Sequence, residues 1–115
     1  MNDLANVTAT YEGEIAVVRV DGEVDLSNAE QVARSVRDSS AGHHVVLDLS
    51  YLAFLDSAGI RAIIDLKRGL SSQRRELRLV VPDDAPICPI VTVAELGTLL
   101  TLHTDVGGAI RALGA

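Results

Sequence analysis

Val45-Val46-Leu47-Asp48-Leu49-Ser50, followed after a short turn by Leu55-Asp56-Ser57-Ala58-Gly59-Ile60, is the stretch on which the reading of this chain turns. Its first half is a strongly apolar run. Three aliphatic residues in a row, with Leu49 beyond Asp48, give the pattern of a central strand covered on both faces. Its second half passes through Tyr51 to Leu55 into the start of a helix that runs to about Gly69 or Ser71. Gly59, Ala62, Ile63, Leu66 and Leu70 fall on one stripe of that helix and are expected in the core. Ser57, Arg61 and Arg68 fall on the opposite side. Ser57 is read as the N-cap, its side chain accepting an amide hydrogen bond while staying at the surface. Ile60 and Ile64 lie at or among the polar positions, where they either anchor a partner or pack under neighbouring loops.

Working outward, Val7 to Tyr11 and Ile15 to Val20 read as two strands joined by Glu12-Gly13-Glu14, a hairpin turn with its glycine in place. Asp21 to Asp25 reads as a turn-rich connection. Ser27 or Asn28 then caps a helix with the apolar stripe Ala29, Val32, Ala33 and Val36, ending near Ser39 to Gly42. Beyond the central helix, Leu77 to Val81 reads as a strand stopped by Pro82. Pro86 opens a helix over Ile87 to Leu96, with Gly97 as a left-handed cap. Leu99 to His103 gives a last strand, and Thr104 or Asp105 caps a helix to Leu113. The order β-β-α-β-α-β-α-β-α predicts an α/β fold: one mixed sheet of about five strands, with parallel neighbours, right-handed crossovers and helices packed against it. A length of 115 residues suits one domain spanning 1–115.

Composition narrows the function classes. Hydrophobic residues at 48% and charged residues at 23% describe a chain that folds rather than one that stays disordered. Ten basic against sixteen acidic residues leave a net charge of -6, which repels phosphate backbones and anionic headgroups, so nucleic acid and membrane surfaces are poor partners. A basic protein surface suits it better. No apolar run approaches the roughly 18 residues of a membrane span, and Met1-Asn2-Asp3-Leu4 lacks the regions of a signal peptide. Cys88 is the one cysteine, so neither an intramolecular disulfide nor a cysteine-based metal site is expected, and a reducing cytoplasm is the expected location. No cofactor is expected either, because no nucleotide-binding glycine loop occurs. Leu55-Asp56-Ser57-Ala58-Gly59 is half of a nucleophile elbow, with Leu55 where the sharp turn needs glycine. His43, His44 and His103 sit at strand ends without readable triad spacing, so no enzyme is expected.

The stretch from Val45 to Ile60, an apolar strand ending in Asp-Leu-Ser and then Asp-Ser-x-Gly opening a helix, resembles the signature of the STAS family, of the anti-sigma-factor antagonist type. Gly22-Glu23-Val24-Asp25, the Leu77 to Val81 strand and Glu95-Leu96-Gly97 extend the resemblance along the chain. It implies that Ser57 is phosphorylated by a partner anti-sigma factor that is also a serine kinase, that phosphorylation breaks the complex, and that a phosphatase acting on phospho-Ser57 restores it. Transcription would be regulated by this partner switching. The docking surface implied by the resemblance comprises Asp25 and the helix after the serine, so the partner-binding set is Asp25, Asp56, Ser57, Ala58, Gly59, Ile60, Arg61 and Ile64. The alternative reading of Asp25 is a stabiliser of the turn before the first helix, with no specific partner contact. A phosphate on Ser57 would add about -1.5 to -2 charges beside Asp56 and Asp25, at a helix end whose dipole and amides tolerate an anion. The alternative implied by resemblance is the accessory subunit of a lipid-transporting ABC complex, binding its ATPase without phosphorylation. Exposed edge strands leave a weak homodimer open.

Overall fold

The computed structural model describes residues 4–93 and 96–114. The strands are β1 (Ala5–Glu12), β2 (Ile15–Val24), β3 (His44–Asp48), β4 (Leu52–Leu55), β5 (Leu77–Val80) and β6 (Thr101–His103); the helices are α1 (Ala29–Ser39), α2 (Ser57–Ser72), α3 (Cys88–Val93) and α4 (Val106–Ala112). They form one mixed sheet in the order β1-β2-β3-β5-β6, antiparallel only between β1 and β2, with β4 parallel to the far end of β2. The mixed α/β architecture is the one expected from the sequence.

β3 lies mid-sheet and is buried on both faces because its residues alternate between two cores. Val45 and Leu47 face a larger core shared with α1, α2 and α3. Val46 faces a smaller one that Ile15, Val80 and Ala109 complete beneath α4. The stripe of α2 is as predicted, with Gly59, Ile63, Leu66 and Leu70 buried and Ala62 half-buried. The larger core leaves a void of about 20 Å³, walled by Val20, Leu47, Ile63 and other aliphatic side chains. An apolar void of that size is a packing imperfection, too small to seat a ligand.

Several expectations change. A sixth strand, β4, occupies the segment read as a lead-in to the helix. It exists because β2 does not stop at Val20: Gly22, at φ +97, lets the strand pass through a bulge and continue to Val24, and this added half pairs with Leu52 to Leu55. A Cβ on Gly22 would collide with the Leu4 carbonyl oxygen. The hairpin turn is as read, with Gly13 at φ +59 and Glu12 opposite Ile15. In the third-helix region α3 begins at Cys88, after Pro86, and Leu96–Thr98 forms a 3-10 turn. Gly97 has no positive φ and so is no left-handed cap, while the part of the predicted helix at Ala94 and Glu95 lies outside the described residues. Asp105, not Thr104, caps α4, its Oδ1 accepting from the Gly108 amide at 2.6 Å.

Candidate functional site

The site is assembled where β2 and β4 end and α2 begins. Asp56, in extended backbone, is the N-cap of α2: its Oδ1 accepts from the Ala58 amide at 3.0 Å and the Gly59 amide at 3.1 Å. Ser57 is therefore the first helical residue and not the cap, a correction to the sequence reading. The reason is competition for the same amides. A carboxylate one residue earlier, held by the bond from its own amide to the Val24 carbonyl, reaches both donors. Ser57 is left exposed, and its hydroxyl has no hydrogen-bond partner among the described residues.

The second carboxylate oxygen of Asp56 accepts from the Leu26 amide at 3.2 Å, which ties the loop between β2 and α1 to the start of α2. That loop is built from its own polar side chains. Asp25 accepts from both the amide and the hydroxyl of Ser27. Asn28, 1% exposed, accepts from the Asp25 amide at 2.8 Å and donates to the Glu23 carbonyl at 2.8 Å. Asn28 thus stands at the cap position of α1 with its side chain committed to the loop, not to a capping bond. The Ser27 hydroxyl and then the Ser27 amide hold the Asp25 carboxyl below its ordinary range and outweigh desolvation, with a lesser contribution from the Asn28 backbone. Asp25 is a turn stabiliser by this geometry, and the same turn lifts Leu26 into solvent at 83% exposure.

Of the partner-binding set, Asp25, Asp56, Ser57, Ala58 and Gly59 come together in this corner. Gly59 is buried, with room for no Cβ against Leu55 and Val24, so it admits α2 close to the strand ends without offering a side chain to a partner. Arg61 is exposed one turn beyond Ser57 and on its side of the helix. Arg68 is exposed further along and pairs with Asp65 at 3.8 Å. Ile60 and Ile64 are half-buried and pack against the larger core, so of the two readings open for them the packed one holds. The most exposed large apolar residue among those described is Leu26, at this corner, which the sequence reading missed. Its signal was present: a leucine inside a turn, between Asp25 and Ser27, belonging to neither a helical nor a strand stripe.

Two consequences for an anion at Ser57 follow. Of the helix-end amides expected to tolerate it, those of Ala58 and Gly59 are already satisfied by Asp56. A phosphate on Ser57 would keep the favourable field of the helix end, would project into solvent, and would stand beside a carboxylate. The histidines are engaged elsewhere: His43 with the Ala41 carbonyl, His44 accepting from the Glu76 amide, and His103 beside Arg78. Among the described residues no group of acidic, histidine or cysteine side chains is arranged to hold a metal ion, and no helix is long and apolar enough to cross a membrane.

The model of the STAS domain matches residues 6–109 of this chain. In overall structure the chain is similar to an anti-sigma factor antagonist from Mycobacterium paratuberculosis, with TM-score 0.81 and 21% identity over 94% of this chain and 92% of that one. It is also similar to the anti-sigma factor antagonist SpoIIAA in its unphosphorylated form, with TM-score 0.72 and 19% identity over 96% of this chain and 98% of the other. The phosphorylated form of the Bacillus cell fate determinant SpoIIAA gives TM-score 0.66 and 19% identity, covering 93% and 99%.

Proposed function

Because this chain belongs to the STAS domain family, we propose that it is an anti-sigma-factor antagonist whose binding to an anti-sigma factor with serine kinase activity is switched off by phosphorylation of Ser57. The observation that carries the reading is the state of that serine: exposed at the first position of α2, with its hydroxyl unbonded among the described residues and its neighbouring amides already occupied by Asp56. A kinase reaches such a hydroxyl without unfolding the helix. In the transfer, the γ-phosphoryl of the partner's ATP passes to Ser57 Oγ, the hydroxyl proton goes to a base of the kinase, and ADP leaves.

The docking surface in this reading is the corner formed by Leu26, Asp25, Ser57 and Arg61, flanked by Ile60 and Ile64. Leu26 supplies the apolar anchor and the acidic groups suit a basic partner surface. Phosphate at Ser57 acts by charge and bulk at that surface while the fold stays intact. A phosphatase acting on phospho-Ser57 resets the switch, the setting is the cytoplasm, and the chain contributes no catalytic group or cofactor of its own.

Incubation with the cognate kinase and ATP, followed by mass-spectrometric mapping, tests the assignment. Phosphate should appear on Ser57 and be lost in Ser57→Ala. A stable complex with an ABC-transporter ATPase, formed by a chain that no kinase modifies, would support the accessory-subunit alternative instead.

A further inference from the structure

We propose that β1 is a dimerisation edge, along which two copies of this chain pair their β1 strands antiparallel about a two-fold axis at Thr8. Among the described residues β1 ends the sheet and pairs with β2 alone, in an unbroken register from Ala5 opposite Gly22 to Glu12 opposite Ile15. Proteins blunt such edges with proline, lysine, bulges or brevity. The opposite edge, β6, has only three residues, whereas β1 runs for eight with no proline, no basic residue, and one charge at its end, Glu12.

The direction of its backbone groups follows from the turn. A two-residue hairpin makes Glu12 and Ile15 a hydrogen-bonded pair, and such pairs alternate along an antiparallel ladder, so Thr10, Thr8 and Asn6 also spend their backbone groups on β2. The bond from the Glu23 amide to the Leu4 carbonyl, 2.8 Å, keeps the same parity. Ala5, Val7, Ala9 and Tyr11 therefore turn their amides and carbonyls outward. Joining these outward groups with those of a second copy about Thr8 sets Val7 opposite Ala9 and Ala5 opposite Tyr11 as bonded pairs. Thr8 then meets its own counterpart and Asn6 meets Thr10.

Every side chain in that overlap is uncharged, and facing threonines are a favourable cross-strand pair. Glu12 falls beyond it, so like charges are never directly opposite despite the net charge of -6 on each copy. Alongside the edge, an open groove of about 240 Å³ between β1 and α1, lined by Val7, Val32 and Ser35 among others, leaves room for the side chains of an incoming strand. The alternation of Thr8 and Thr10 with half-buried Val7 and Ala9 matches a second strand laid on the same pleat.

Sedimentation of the full chain in about 0.15 M salt, where charges are screened beyond roughly 8 Å, over a concentration series reaching about 1 mM, tests the proposal. The wild type should shift from monomer toward dimer and do so less readily at low salt. Thr8→Lys puts two like charges face to face on an exposed position, and Ala9→Pro removes an outward amide without touching the ladder to β2. Each should raise the dissociation constant at least tenfold while circular dichroism shows the native fold. A wild-type chain that stays monomeric throughout, or a dimer that a folded variant of either kind leaves intact, overturns the proposal.

Discussion

Asp56 and Leu26 lie thirty residues apart in sequence and are joined by one hydrogen bond, from the Leu26 amide to Asp56 Oδ2 at 3.2 Å. The same carboxylate caps α2 through its other oxygen. One side chain therefore holds both the helix that begins at Ser57 and the loop that exposes Leu26.

Removing that side chain should loosen both. Asp56→Ala is expected to cost about 1–2 kcal/mol, the loss of a helix cap, read as a lowered midpoint in urea unfolding with unchanged slope. Hydrogen exchange should show the Leu26, Ala58 and Gly59 amides losing protection together, while the amides of β3 keep theirs.

Leu26 separates docking from stability. Its side chain is exposed and contributes little to the core, so Leu26→Asp should leave the unfolding midpoint within about 0.5 kcal/mol of wild type. Affinity for the anti-sigma factor should fall at least tenfold, read by calorimetric titration.

Two glycines of α2 should respond in opposite directions. Gly59→Ala drives a methyl group into Leu55 and Val24 and should destabilise by about 1–3 kcal/mol. Gly69 is exposed within the same helix with open space around it, so Gly69→Ala should stabilise by about 0.5–1 kcal/mol. Thermal unfolding of the pair checks both signs.

Acid should reveal Asp25. Its carboxyl is held below the ordinary range by Ser27 and Asn28, so the folded pKa is lower than the unfolded one. The resulting stabilisation is complete above the unfolded value of about 3.9 and is lost as pH falls through the depressed folded value. In urea midpoints taken at stepped pH, Asp25→Asn should lose less stability on acidification than the wild type does.

The parts of this molecule that were legible in its sequence are those governed by periodicity. β3 and the buried stripe of α2 are visible because burial on both faces, or on one, writes itself into consecutive or three-to-four-residue spacing. β4 was not legible, because Tyr51 to Leu55 acquires a partner only once Gly22 carries β2 through a bulge, a tertiary event with no local trace beyond the glycine. The cap of α2 was misassigned by one residue because Asp56 and Ser57 are both good caps. The long-range bond to the Val24 carbonyl, which orients Asp56, decides between them. Leu26 escaped notice for a related reason: its exposure is set by side-chain bonds among Asp25, Ser27 and Asn28 that no spacing rule describes.

The switch at Ser57 is tested most directly by titrating the cognate anti-sigma factor with two forms of the chain, one unphosphorylated and one shown by mass spectrometry to carry phosphate on Ser57 alone. The phosphorylated form should bind at least tenfold more weakly while its circular dichroism and unfolding midpoint remain those of an intact fold. Equal affinity of the two forms would contradict the account.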